Sequence, residues 1–203
     1  MPRMRKDDRY GRDDRPVPFD KLSMNTPAPQ SRTYLITGMS GAGKSSVVRE
    51  LIALGFDAID LDSAQWSHWV DAAVDDALTP EQGRDWVWRE DRVAALLAKP
   101  SRAPRLLAGT ASNMAAFYDR FDAVVLLSAS EDCLLQRLRE RGAGEYGSTQ
   151  AQRAAVRELI AQVEPLLRES ADLTLDSSGP VAATVRDLLR ALDLTAALPT
   201  PGR

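Results

Sequence analysis

The stretch TYLITGMSGAGKSS, residues 33–46, restricts the chain to very few folds. The apolar run 33–37 stops at three glycines, after which a lysine and two serines open the amphipathic stretch KSSVVRELIAL, 44–54. The run predicts a buried strand. The stretch predicts a helix with Val47, Leu51 and Leu54 on one face and Gly55 placed to end it. Between them Gly38, Met39, Ser40, Gly41, Ala42, Gly43, Lys44 and Ser45 match G-x-x-x-x-G-K-[ST] in full. Positions without a Cβ let the backbone close on an anion, and the following helix offers unpaired N–H groups and the positive end of its dipole. The motif therefore predicts a phosphate cradle over 38–46, Ser46 included, for ATP. Within it Lys44 reaches the β- and γ-phosphates and the Ser45 hydroxyl helps hold Mg²⁺.

Short apolar runs then alternate with helical patterns, as in βαβ units that build a parallel sheet. FDAID (56–60), RLLAG (105–109), AVVLLS (123–128) and LTLD (173–176) read as four more strands. EDRVAALLA (90–98), SEDCLLQRLRERG (130–142), TQAQRAAVRELIAQVEPLLRES (149–170) and SSGPVAATVRDLLRAL (177–192) read as helices. Thr149 and Gln152 suggest a capping box, Pro165 is expected to kink or end its helix, and Pro180 suits a first helical position.

Charge and composition narrow the class. Residues 1–31 hold 5 of the 12 prolines and 7 Lys+Arg against 5 Asp+Glu, a composition that predicts a disordered tail. The remainder carries 19 Lys+Arg against 24 Asp+Glu, and this acidic balance argues against nucleic acid as the main partner. No stretch is long and apolar enough to span a bilayer, the charged start lacks a signal-peptide core, and Cys133 is the single cysteine. The expectation is a cytoplasmic chain without membrane contact. N-K-x-D, the guanine-reading motif, is absent, and RLLAGTASN ends without an acidic pair, so the Mg²⁺ carboxylate has to come from elsewhere.

From about Tyr34 to Leu192 the order of elements resembles the small P-loop kinases of the shikimate, nucleoside-monophosphate and gluconate kinase type. The resemblance implies a single α/β P-loop NTPase domain over 32–195, with a parallel sheet of about five strands in order 2-3-1-4-5 and helices on both faces. It adds an acceptor-binding insert at 63–92, a lid at 137–149 and a flexible tail at 196–203. In DAIDLDS (57–63) it implies that Asp60 supports Mg²⁺ and that Asp62 contacts or deprotonates the acceptor hydroxyl. Strand alternation would put both on one side. In QRLRERGAGEYG (136–147) it implies that Arg137 or Arg141, expected on one helix face, stabilises the transferring phosphoryl group. LDSSGP (175–180) resembles the loop that packs against adenine.

The acceptor side rests on AGTASNM (108–114), where Gly109 and Asn113 are candidates, and on the insert, which holds all four tryptophans and the only histidine. Trp66 and Trp69 at i, i+3 suggest one helical face, with Trp66 an acceptor candidate, while Trp86 and Trp88 alternate as in a strand or turn. Arg84 and Arg89 are candidates to clamp an acceptor carboxylate or phosphate. The expected reaction is ATP γ-phosphoryl transfer to a hydroxylated acid, sugar or nucleotide. The alternatives are a nucleotide-dependent regulator and an antibiotic phosphotransferase of the same fold.

Overall fold

Strands buried on both faces need helices above and below them, and the continuous apolar runs satisfy that requirement. The computed structural model describes residues 32–195 other than Ala77, Ala143 and Glu145; the tails expected at 1–31 and 196–203 lie outside the described residues. The main sheet consists of β1 (Thr33–Thr37), β2 (Asp57–Asp60), β5 (Arg105–Ala108), β6 (Ala123–Ser128) and β7 (Leu173–Asp176). All neighbours are parallel, in the order β2-β5-β1-β6-β7. Counted as sheet strands this is the expected 2-3-1-4-5. Leu35, Ile36, Leu106, Leu107, Leu126 and Leu127 on the three central strands are fully buried. The chain fills one side of β1 with β5 and β2, then crosses to β6 and β7, so the order reverses at β1. Ligands bind at such a reversal, beyond the carboxyl ends of the strands.

Helices α1 (Lys44–Ala53), α2 (Glu90–Ala98), α3 (Glu131–Arg139), α4 (Gln150–Ser170) and α5 (Val181–Ala191) flank the sheet. Gly55 follows α1 with φ +87, and the Thr149–Gln152 capping box starts α4. Pro165 neither ends nor breaks α4, which runs on to Ser170. Pro165 and Ala161, whose carbonyl loses its helical partner, are both exposed, so that carbonyl faces water. Pro180 is the N-cap of α5 rather than its first residue. α3 stops at Arg139, so Arg141 lies beyond the helix and shares no face of it with Arg137. The reason is the following glycine-rich turn: a Cβ on Gly147 would sit 2.8 Å from Leu138 Cδ2, and Gly147 and Gly144 have φ +89 and +94.

The insert is not helical around Trp66 and Trp69. It forms an antiparallel hairpin of β3 (Ser67–Asp71) and β4 (Arg84–Trp88), with Trp69 directly opposite Trp86. Their rings meet edge to face at 5.1 Å, and the Arg84 guanidinium lies 4.7 Å over Trp69. Cross-strand aromatic pairing accounts for the choice of strand over helix. Trp88 is fully buried against Phe117, 6.0 Å between ring centroids. Its backbone N–H donates to Asn113 Oδ1 and its carbonyl accepts from Asn113 Nδ2, both at 3.0 Å. Asn113 belongs to a 3-10 helix, Ser112–Arg120. The buried Trp88 indole is thus one of the contacts that fasten the hairpin to the sheet body, beside the Ser67 hydroxyl, which donates to Leu61 O at 2.6 Å. Trp88→Ala is expected to lower the unfolding free energy by about 3–5 kcal/mol in urea titrations.

Candidate functional site

The cradle is built by backbone. Gly41 and Gly43 have φ +92 and +97, and a Cβ on Gly41 would lie 2.6 Å from Leu134 O. Gly38 lies beneath the loop, where a Cβ would come 2.5 Å from Leu127 O. Gly43 caps α1 without a side-chain hydrogen bond, leaving the first N–H groups of α1 directed at the cleft. Met39 to Ser46 line a cleft of about 1600 Å³ that runs from this loop to the hairpin.

Three loops at the carboxyl ends of β1, β2 and β5 meet on Lys44. Its ammonium donates to Gly38 O at 2.7 Å and pairs with Asp62 Oδ2 at 3.3 Å. The other Asp62 oxygen accepts the Thr110 N–H at 2.8 Å, and Thr110 Oγ1 donates to Gly38 O at 2.8 Å. Asp62 does not continue the strand; the turn after Asp60 brings its N–H onto Asp60 Oδ1 at 3.0 Å, so a turn and not strand alternation brings both carboxylates to the cleft. Burial pushes the Asp62 carboxyl above the usual carboxylate range, a rise opposed by Lys44 and by the Thr110 N–H.

Arg137 projects from α3 and donates to the carbonyls of Ser177 (2.7 Å), Ser178 (3.1 Å), Gly179 (3.4 Å) and Gly41 (3.3 Å). It joins the cradle to the 177–179 loop at the other edge of the cleft. Arg141 donates to Tyr146 O at 2.9 Å, and the Tyr146 hydroxyl donates to Pro80 O at 3.2 Å, bridging 137–149 to the hairpin. Burial holds that phenol up at about 12, so it stays a neutral donor.

A sequence profile described as the AAA domain matches residues 35–158. Shikimate kinase from Bordetella pertussis is 32% identical over 170 residues, 79% of this chain and 78% of the relative. The chain belongs to the small P-loop kinase family. Solved shikimate kinases share the fold of this P-loop kinase. The Acinetobacter baumannii enzyme, solved with shikimate, has a TM-score of 0.53 at 21% identity over 81% of this chain and 95% of that one. The Bacteroides thetaiotaomicron enzyme gives 0.51 at 16% identity over 80% and 99%.

The kinase cleft gathers Met39–Ser46, Asp60, Asp62, Trp66, Arg137 and Arg141. Arg84, Arg89, Gly109 and Asn113, the other acceptor candidates, do not line it. Arg84 pairs with Glu81 at 3.5 Å and covers Trp69, Asn113 holds Trp88, and Arg89 stands at the N-cap of α2 with no side-chain capping bond and its Nε buried without a partner among the described residues. Gly109 keeps space clear: a Cβ there would lie 3.0 Å from Asp62 Oδ1 and from Leu61 Cβ. The linking role of Thr110, the cleft-lining carboxylate of Asp85 and the α4 wall emerge only in the structure. No local pattern marks them, since each reaches the cleft through a long-range contact.

The donors fit Mg²⁺. The exposed hydroxyl of Ser45 and the carboxylate of Asp60 are hard oxygen ligands. Among the described residues no group of three or more His, Cys, Asp or Glu is assembled. Also among the described residues, no helix is long and apolar enough to cross a membrane.

Arg137→Ala leaves four carbonyls without their donor. It is expected to cost about 1.5–3 kcal/mol in chemical denaturation, the range for hydrogen bonds to a charged group.

Proposed function

We propose that this protein transfers the γ-phosphoryl group of ATP to a hydroxyl of a small molecule. The observation that carries the reading is the ion pair at 3.3 Å between Lys44 of the cradle and Asp62, a half-buried carboxylate of raised proton affinity. It puts a candidate base beside the group that binds the terminal phosphate, where an acceptor hydroxyl must sit for in-line attack. The shikimate kinase relatives support the same chemistry.

In this reading the N–H groups of Gly41 to Ser46 and the Lys44 ammonium bind the triphosphate. Entry of the phosphates draws Lys44 away from Asp62, and losing that cation raises the carboxylate's proton affinity further. Asp62 becomes a better base as the nucleotide arrives, with its orientation kept by the Thr110 N–H. Asp62 takes the hydroxyl proton while the acceptor oxygen bonds to the γ-phosphorus and the bond to the β-phosphate oxygen breaks. Ser45 and Asp60 would hold Mg²⁺, which neutralises phosphate charge when bound. Arg137 and Arg141 supply positive charge from the 137–149 lid, and the 63–92 insert forms the acceptor side.

Lys44→Ala is expected to abolish acceptor-dependent ADP release and keep the cooperative unfolding transition; undiminished turnover overturns the reading. Asp62→Asn is expected to lower kcat by about 10²–10⁴-fold, with a smaller loss of ATP affinity. A base works only when ionised, so the wild-type rate should fall as pH drops through the raised pKa. That acid limb should lie above the ordinary aspartate value of about 3.9 and vanish in Asp62→Asn. If Mg-ATP and a broad metabolite pool yield slow hydrolysis and no phosphorylated product by mass spectrometry, a nucleotide-dependent regulator replaces the kinase.

A further inference from the structure

We infer that Trp88 is a positioning residue for Asp62: its indole N–H donates to the carboxylate once nucleotide has drawn Lys44 away. The role of Asp62 as base rests on the phosphotransferase reading, whereas the contact itself follows from the packing. Trp88 is fully buried, and its Nε1 has no hydrogen-bond partner among the described residues. A buried indole N–H ordinarily finds an acceptor, and one left unpaired carries a desolvation cost. Trp88 cannot turn to relieve it. Asn113 closes both of its backbone groups at 3.0 Å, and the ring packs on Phe117. An apolar ring of similar outline would fill the same place without an orphaned donor, so packing alone does not account for an indole here.

What the donor faces is set by Gly109. A Cβ on that residue would lie 3.2 Å from Trp88 Nε1 and 3.0 Å from Asp62 Oδ1. The indole nitrogen and the carboxylate oxygen therefore converge on the one point that a glycine leaves without a side chain. Any other residue at 109 would wedge them apart. The three groups come from β4, the turn after β2 and the loop after β5, so the sheet itself brings them together.

Asp62 needs such a donor at one moment of the cycle. Its Oδ1 accepts the Thr110 N–H at 2.8 Å and its Oδ2 pairs with Lys44 at 3.3 Å. Lys44 and Asp60 are the charged groups that act on it, one attracting and one repelling. When the phosphates claim Lys44, a single backbone N–H is left to hold the carboxylate. A carboxylate oxygen has lone pairs for two donors, so Oδ1 can take the Trp88 N–H beside that of Thr110. Two donors on one oxygen fix the plane of the group and leave Oδ2 turned to the acceptor hydroxyl, the geometry that proton transfer requires.

The test reads the indole directly, by proton–nitrogen correlation spectra of the full chain with Mg²⁺ and a non-hydrolysable ATP analogue. The Trp88 Nε1–H signal, assigned by its absence in Trp88→Phe, is expected to move downfield when the analogue binds. In Asp62→Asn, where the charged acceptor is gone, that move should shrink severalfold. A signal that stays in place at saturating analogue, or moves equally in Asp62→Asn, overturns the inference; in that case the phosphotransferase reading stands on its own evidence. A second arm replaces Trp88 with 3-benzothienylalanine, which keeps the ring outline and lacks the donor. It is expected to unfold at the wild-type urea midpoint and to release ADP from Mg-ATP and the metabolite pool about tenfold or more slowly. Wild-type turnover in that variant overturns the inference, and an early unfolding leaves the decision to the spectra. A protein that shows the downfield move yet phosphorylates nothing keeps the contact and loses the phosphotransferase reading. One that binds no analogue loses both.

Discussion

One half-buried carboxylate organises the working end of this molecule. Asp62 joins the loop after β2 to the cradle after β1 through Lys44, and to the loop after β5 through Thr110. Removing a single partner from such a network leaves a desolvated charge, which costs more than the pair gains in forming. The three loops therefore hold position as a set, and the parallel sheet behind them fixes where each begins. Gly38 is common to the arrangement, since its carbonyl accepts from both Lys44 and Thr110.

Most of the sheet was legible because its signals are local. Continuous apolar runs, a glycine loop between strand and helix, and a capping box at Thr149 each declare themselves within a few residues. What escaped depends on partners distant in sequence. The i, i+3 spacing of Trp66 and Trp69 suits a helix, yet Trp69 pairs with Trp86 across a hairpin and strand wins. Pro165 is tolerated because it sits on the exposed side of α4.

The site divides in the same way. That residues 39–46 line the cleft could be read from the motif alone, whereas nothing local in the sequence tells whether the arginines at 84 and 89 reach it. In the fold Arg84 lies over an indole ring beside Glu81, and Arg89 opens α2 with its Nε buried and without a partner among the described residues; neither lines the cleft. Asn113 resembled an acceptor contact and instead closes two backbone bonds on Trp88. Such choices are settled by which groups a buried chain must satisfy, and that accounting requires three-dimensional neighbours.

The bridge from Tyr146 to Pro80 carries a dynamic implication. It is one neutral hydrogen bond, worth about 1 kcal/mol, which favours the bridged arrangement over a broken one by only about fivefold. Because the phenol keeps its proton to about pH 12, acidity does not work this latch. A contact this weak leaves the two edges of the cleft only lightly tied to each other at this point.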